Sequence, residues 1–169
     1  MNGTVELEST LGTGTTVLLR LPLTLAILPV LLVQAADEIY GVPLYSVVST
    51  AAVHPEEIHS IEGFEVLRSG GRILPLLRLG KLVGSETKAH TTAGGKVVLL
   101  AIGDRQLALL VDHLIGHEST VIKPLATCFR NCSSIAGTTI GDDGRVRLIL
   151  DPEGLLALIS SPVAGVAGQ

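Results

Sequence analysis

One pattern occurs twice in this chain and restricts its fold more than any other feature. An apolar strand is followed by a short charged turn and then by a second apolar strand. The first copy, residues 25–44, reads LAILPVLLVQAADEIYGVPL, and the second, residues 96–116, reads KVVLLAIGDRQLALLVDHLIG. Asp37-Glu38 interrupts the first copy and Gly103-Asp104-Arg105 the second. Leu-rich and β-branched runs on either side of such a turn are the sequence form of a β-hairpin. Two hairpins about 70 residues apart predict two similar β units side by side, an arrangement better suited to docking than to catalysis.

Composition narrows the function. Hydrophobic residues make up 47% of the 169 positions and charged ones 17%, so extensive burial is expected and disorder is not. The apolar mass is almost all Val, Leu, Ile and Ala, with two Phe, two Tyr and no Trp. Base stacking on nucleic acid needs aromatic platforms, and a net charge of −4 repels a phosphate backbone, so no nucleic-acid partner is expected. Cys128 and Cys132 are too few for a disulfide scaffold, and a reduced, cytoplasmic protein follows. Residues 21–36 form the most membrane-like stretch, but they are short of the ~20 residues a spanning helix needs. Pro22 and Pro29 would each break its hydrogen bonding, so a buried strand pair is expected there and no membrane insertion.

Along the chain, Val5 and Leu7 alternate with Thr4, Glu6 and Glu8 as in a half-exposed strand, and a second strand follows at 15–21. Pro22 ends it, which puts a boundary near residue 24. Pro55-Glu56-Glu57 reads as a first helical turn, with acids where the helix dipole favours them. Strands are expected at 64–67 and 72–77 around Ser69-Gly70-Gly71, and a helical segment at 76–83 closes the first lobe. The polar stretch 84–95 (GSETKAHTTAGG) reads as the linker between lobes. After the second hairpin, strands at 118–123, 135–140 and 145–150 are expected, the last two around a Gly141-Asp142-Asp143-Gly144 turn. Asp151 caps a helix with Pro152 at its first position, and residues 161–169 form a flexible tail.

Candidate chemistry is sparse. His113 and His117 lie four apart, as do Cys128 and Cys132, a set of zinc-type ligands. On an extended strand, however, two side chains four residues apart are ~13 Å apart, too far for one ion. Solvated histidines are the better account, and no metal is expected. Asp142-Asp143 reads as a solvated turn tip, and His54 and His59 as exposed residues beside a proline turn. The chain has no nucleophile elbow, zincin pair or complete phosphate loop, so no catalytic residue is expected.

Several strings carry a family resemblance when taken in order: RLPLTLAI at 20–27, Val111-Asp112, VIKPL at 121–125, Ile135-Ala136-Gly137, Gly144-Arg145-Val146 and LILD at 148–151. Together they resemble the C-terminal CheW-like regulatory domain of the CheA chemotaxis histidine kinase. NGTVELES at 2–9 and GTGTT at 12–16 resemble the last strands and glycine turn of that kinase's ATPase domain. The resemblance implies a mainly β fold of two five-stranded barrel lobes packed together, with few short helices. It divides the chain into an ATPase remnant at 1–24, a CheW-like domain at 25–160 with lobes at 25–84 and 96–160, and the tail. Gly12, Gly14 and Thr15 would be cofactor-binding only as remnants of an ATP turn, and no working cofactor is expected.

The implied partners are the coupling protein CheW, a chemoreceptor cytoplasmic tip and the kinase domains of a parent chain, in the cytoplasm at membrane receptor arrays. Val47, Val48, Arg68, Val111 and Asp112 match positions near contact surfaces of the family. The chain alone is not expected to be an enzyme, although its parent would be an ATP-dependent histidine kinase. A free-standing CheW-type adaptor is the alternative, and it should lack the Gly12-Thr13-Gly14-Thr15 turn. A catalytic or metal-binding domain is the reading from another class.

Overall fold

The computed structural model describes residues 4–12, 14–20, 27–84, 95–123 and 133–160. Strands β1 (Thr4–Thr10) and β2 (Gly14–Arg20) form a separate antiparallel hairpin. Then follow β3 (Ile27–Ala35), β4 (Glu38–Pro43), a 3-10 turn at Leu44–Ser46, β5 (Val47–Val53), a 3-10 turn at Pro55–Glu57 and β6 (Ile58–Ile61). Next come β7 (Phe64–Ser69), β8 (Arg72–Arg78), α1 (Leu79–Leu82), β9 (Gly95–Ile102), β10 (Arg105–Val111) and β11 (His113–Val121). Strands β12 (Ile135–Ile140) and β13 (Val146–Leu150) precede α2 (Pro152–Ser160). Among the described residues no helix is long and apolar enough to cross a membrane.

Both expected hairpins are present, β3–β4 and β9–β10, and each anchors one sheet. Five strands lie in the order β11-β3-β4-β13-β12 and six in the order β5-β9-β10-β8-β7-β6. The fold is mainly β with few helices, as expected, but its ladders are open sheets of five and six strands instead of two closed five-stranded barrels. The helical turn expected at Pro55-Glu56-Glu57 is present, and the sixth strand, β6, follows it directly. Only Pro55–Glu57 is helical there, and the Glu62-Gly63 turn, with φ of 50° and 85°, folds residues 58–61 back onto β7.

The sheets do not follow the expected lobe boundaries in sequence. Residues 47–111 build the whole six-stranded sheet, which is inserted into a five-stranded sheet made from 27–43 and 113–150. The strands on either side of 84–95 in sequence, β8 and β9, belong to the same sheet. The composition of that stretch marks a connection, but a connection's length and polarity do not say which strands it joins. Residues 85–94, the boundary near residue 24, the cysteines and the tail lie outside the described residues.

The two sheets share an order from one edge inward. Each hairpin closes on a two-residue turn, Ala35 opposite Glu38 and Ile102 opposite Arg105. Its second strand then pairs in parallel with a strand distant in sequence, Gly41 opposite Ile149 in β13 and Ala108 opposite Leu76 in β8. Each hairpin's first strand pairs with the strand that follows the other hairpin, β5 with β9 and β11 with β3. This reciprocal exchange ties the two sheets to each other.

The central core lies between the sheets. Val33, Tyr40 and Val42 from one meet Val98, Leu100, Leu107 and Leu109 from the other, with Leu79, Leu155 and Leu156 from the helices. Val97, Ala108, Val53, Leu67 and Leu76 fill a second cluster on the far face of the six-stranded sheet. Val30, Leu32 and Ile149 do the same for the five-stranded sheet. Strands β3, β9 and β10 are thus covered on both faces, which explains their unbroken apolar runs. Each fully buried Leu or Val contributes ~1.5–3 kcal/mol relative to exposure. At the start of α2, Asp151 Oδ1 accepts the N–H of Glu153 at 3.2 Å, the cap expected from Asp151-Pro152.

Candidate docking surface

The matching registers locate the exposed apolar residues. Ladder β5–β9 slips between Val47 and Ser49, leaving Val48 as the extra residue of a bulge, 57% exposed. Ladder β11–β3 slips at the same place relative to its hairpin, between Leu114 and Gly116, and leaves Ile115 bulged and 48% exposed. Bulges turn side chains out of the pleat and are common at sheet edges, so both sheets present an aliphatic group in corresponding positions. Val48 was expected from the sequence, but Ile115 was not. The signal that could have found it is the alignment of the two hairpins, which puts Leu114-Ile115-Gly116 on Val47-Val48-Ser49.

A second correspondence concerns Arg68, exposed on β7 opposite Ile73, which is itself 61% exposed. Ile73 shares its face of β8 with Leu77, which packs on the central core. At the same register in the other sheet, Ile140 faces Val146, 54% and 64% exposed, on the face that Leu148 continues into that core. In each sheet, then, the core-facing side extends past the covered region into an exposed aliphatic rim. Tyr45, on the turn before β5, is 72% exposed. Partial burial, and then the Asp151 and Glu153 carboxylates, raise its phenol pKa, so it stands beside the start of α2.

Three of the expected contact residues behave differently. Val111 is 2% exposed and belongs to the central core, so it has no surface to offer a partner. Val47 is half-buried and packs against the same core. Asp112 spans the fold: its Oδ2 accepts the N–H of Ala36 at 2.6 Å, and its own N–H donates to Gln34 O at 2.9 Å. The chain passes from one sheet to the other at this residue, and Asp112 clamps the first hairpin turn at the crossing. An acid that holds a turn 76 residues away in sequence leaves no local trace of that task.

Gly12 and Gly14 sit in the β1–β2 turn with φ of 82° and 128°, and Thr15 shares a hydrogen bond with Ser9 at 2.9 Å. Among the described residues beyond their chain neighbours, none crowds the space a Cβ would take at either glycine. Val5, Leu7, Val17 and Leu19 fall on one face by register and are 54–69% exposed. His113 and His117 are exposed on β11 with the bulge between them. Among the described residues no three His, Cys, Asp or Glu side chains converge as a metal site would need.

The CheW-like domain family matches residues 29–160, the span that holds both sheets and α2. The chain belongs to that family. Its relatives include the sensor histidine kinase CheAY of Helicobacter pylori, 37% identical over 95% of this chain. The CheA proteins of Treponema pallidum and Salmonella typhimurium are 39% and 40% identical over 94% of it. The chain spans only 20% to 24% of the length of these proteins. The crystal structure of the scaffolding protein TtCheW from Thermoanaerobacter tengcongensis has the same fold, with a TM-score of 0.60 at 18% identity. The match covers 74% of this chain and 89% of that one. Within this CheW-like domain, the bulges at Val48 and Ile115 and the two aliphatic rims are among the exposed apolar positions of the described residues.

Proposed function

We propose that this chain is the regulatory and scaffolding module of a chemotaxis histidine kinase, docking with a CheW-type coupling protein and a chemoreceptor tip in the cytoplasm at receptor arrays. The carrying observation is the aliphatic surface just described, repeated at matching registers on two sheets and built on rigid strands. Such a surface suits an interface that must shift with receptor state. Burial of ~600 Å² at ~25 cal/mol/Å² is offset in large part by association and ordering costs. The signal passes mechanically, and no bond is made or broken on this chain.

Residues 1–24 belong, in this reading, to the end of the kinase's ATPase domain. Two facts support it. Alignments to the CheA relatives cover 94–95% of the chain and so run beyond residues 29–160. The β1–β2 hairpin also has an uncovered apolar face, as strands cut from a larger sheet would. Gly12, Gly14 and Thr15 alone give no nucleotide site, and saturable ATP binding at micromolar concentration would contradict this. The far-face clusters behind each sheet are the reason to regard each lobe as a small, incompletely laddered barrel. A free-standing adaptor is the second reading, favoured by the 89% coverage of TtCheW.

The test is calorimetric titration of this chain with a CheW-type coupling protein and, separately, with a receptor cytoplasmic tip. Val48→Glu, Ile115→Glu and Arg68→Ala, each checked for native circular dichroism, should weaken at least one of the two associations about tenfold, the loss expected of an interface anchor. If all three variants bind both partners as the parent chain does, the docking surface is elsewhere. If neither partner binds the parent chain at all, the proposed function is wrong.

A further inference from the structure

The edge strands of the five-stranded sheet, β11 and β12, approach each other without forming a ladder. Among the described residues the polar contacts across the seam are few. Lys123 and Thr138 exchange backbone hydrogen bonds, each 2.8 Å, in an isolated bridge. The Thr120 and Thr139 hydroxyls hydrogen-bond to each other, both residues buried. Arg147, opposite Thr139 on β13, donates through Nη1 to Glu118 Oε2 on β11 at 2.8 Å, and its Nη2 lies 3.3 Å from Asp143 Oδ1 in the turn before it.

The same positions in the other sheet are filled differently. Carrying the register across the two hairpins puts Thr120 on Val53, Thr139 on Leu67, Arg147 on Leu74 and Glu118 on Ala51. Val53 and Leu67 are 3% and 1% exposed, and with Leu74 they form the apolar cluster of the six-stranded sheet. One sheet thus seals this corner with aliphatic packing and its counterpart seals it with a polar network. The network is costly to close. The Arg147 side chain keeps only 11% of its exposure, and its Nε is buried with no hydrogen-bond partner among the described residues. Burying a cation with an unmet N–H offsets much of what the ion pair contributes, so this seam opens at lower cost than an aliphatic one. An aliphatic corner has no comparable reason to open.

We propose that the β11–β12 seam is a latch, with Arg147 as its bolt. It opens locally while the β11–β3 and β12–β13 ladders stay intact. Pressure on the outer face of β11, where Ile115, His117 and Ser119 are exposed, shifts the opening equilibrium. The Asp142-Asp143 turn then has a task beyond solvation, because Asp143 steadies the bolt. This inference does not depend on which partner the chain binds.

Residue-resolved amide hydrogen exchange on the full chain tests it, with Lys123 and Thr138 as reporters, since their N–H groups face the seam. Removing the bolt in Arg147→Ala should speed exchange at both reporters about tenfold, as loss of a charge-assisted hydrogen-bonded pair implies, with the β9–β10 amides unchanged. Glu118→Gln, a milder change, should move them in the same direction and serves if Arg147→Ala fails to fold. The combined replacement Glu118→Ala, Thr120→Val, Thr139→Leu and Arg147→Leu copies the other sheet's corner and should slow the reporters about tenfold or more. Glu65→Gln, which breaks an ion pair in the six-stranded sheet, should leave them unchanged. Reporters that follow global unfolding in every variant, or that ignore both Arg147→Ala and Glu118→Gln, would overturn the latch.

Discussion

Ala36 occupies a position that its side chain resists. Its φ of 55° lies in the left-handed region, where the corresponding residue of the second hairpin is Gly103, with a φ of 58°. The Asp112 carboxylate on its N–H and the Gln34 amide on its carbonyl, 2.6 and 2.9 Å, hold it there. Ala36→Gly keeps both backbone hydrogen bonds and removes the Cβ crowding, so it should stabilise the chain by ~1 kcal/mol. A thermal melt should rise by ~3 °C, the shift such a gain produces at this chain length. Glu65 offers a pH test. Arg78 holds it by three hydrogen-bond contacts of 2.8–3.0 Å, and this bonding lowers its pKa despite partial burial, with help from the Arg78 and Lys81 charges. A carboxylate with a depressed folded pKa stabilises above its unfolded value and loses that contribution as pH falls through the folded value. The pair is about one-third exposed, which limits it to ~1 kcal/mol after screening. Denaturation at pH 7 should therefore separate Glu65→Gln from the parent by about that amount. As pH falls through the lowered folded pKa of Glu65, the two curves should converge.

At the scale of elements, local chemistry was legible and pairing was not. Both hairpins, the glycine turn at 70–71 and the α2 cap could be read because each is fixed by neighbours in the chain. Strand β5 could not be assigned to β9, because the ladder that joins them crosses more than forty residues and leaves no mark on VVSTAAV. Val111 matches a family position near a contact surface, yet β10 is covered on both faces and the side chain is buried there. Gly154 shows how packing can invert an intrinsic preference. On a helix, Gly→Ala ordinarily stabilises by ~1 kcal/mol. Here a Cβ at Gly154 would run into the backbone carbonyl of Ser133, which cannot swing aside as a side chain tip can. Gly154→Ala should instead destabilise by ~1–3 kcal/mol, the usual cost of overpacking, and a urea midpoint would register the sign.

For the molecule as a whole, the exchange of β5 and β11 between sheets makes separate unfolding of the two halves costly. The central core takes Val33, Tyr40 and Val42 from one sheet and Leu100, Leu107 and Leu109 from the other, so losing either sheet exposes both. Equilibrium denaturation followed by circular dichroism, and by exchange at β4 and β10 amides, should give one coincident transition. Two separated transitions would mean that the sheets are independent after all. The candidate docking surface was partly legible at this scale. Val48 and Arg68 came from matching positions in a family, but their partners Ile115 and Ile140–Val146 emerged only when the two sheets could be superposed strand by strand.

The nested order of the sheets also bears on synthesis. As the chain leaves the ribosome, the hairpin at 27–43 emerges long before β11 and β13, the strands that flank it. The insert at 47–111 needs only its own residues and can be completed while the tunnel still holds the rest. For that interval Val30, Leu32 and Ile149's future site lie open to water, and the nascent polypeptide carries an unsheltered greasy ribbon until residues 113–150 have been translated.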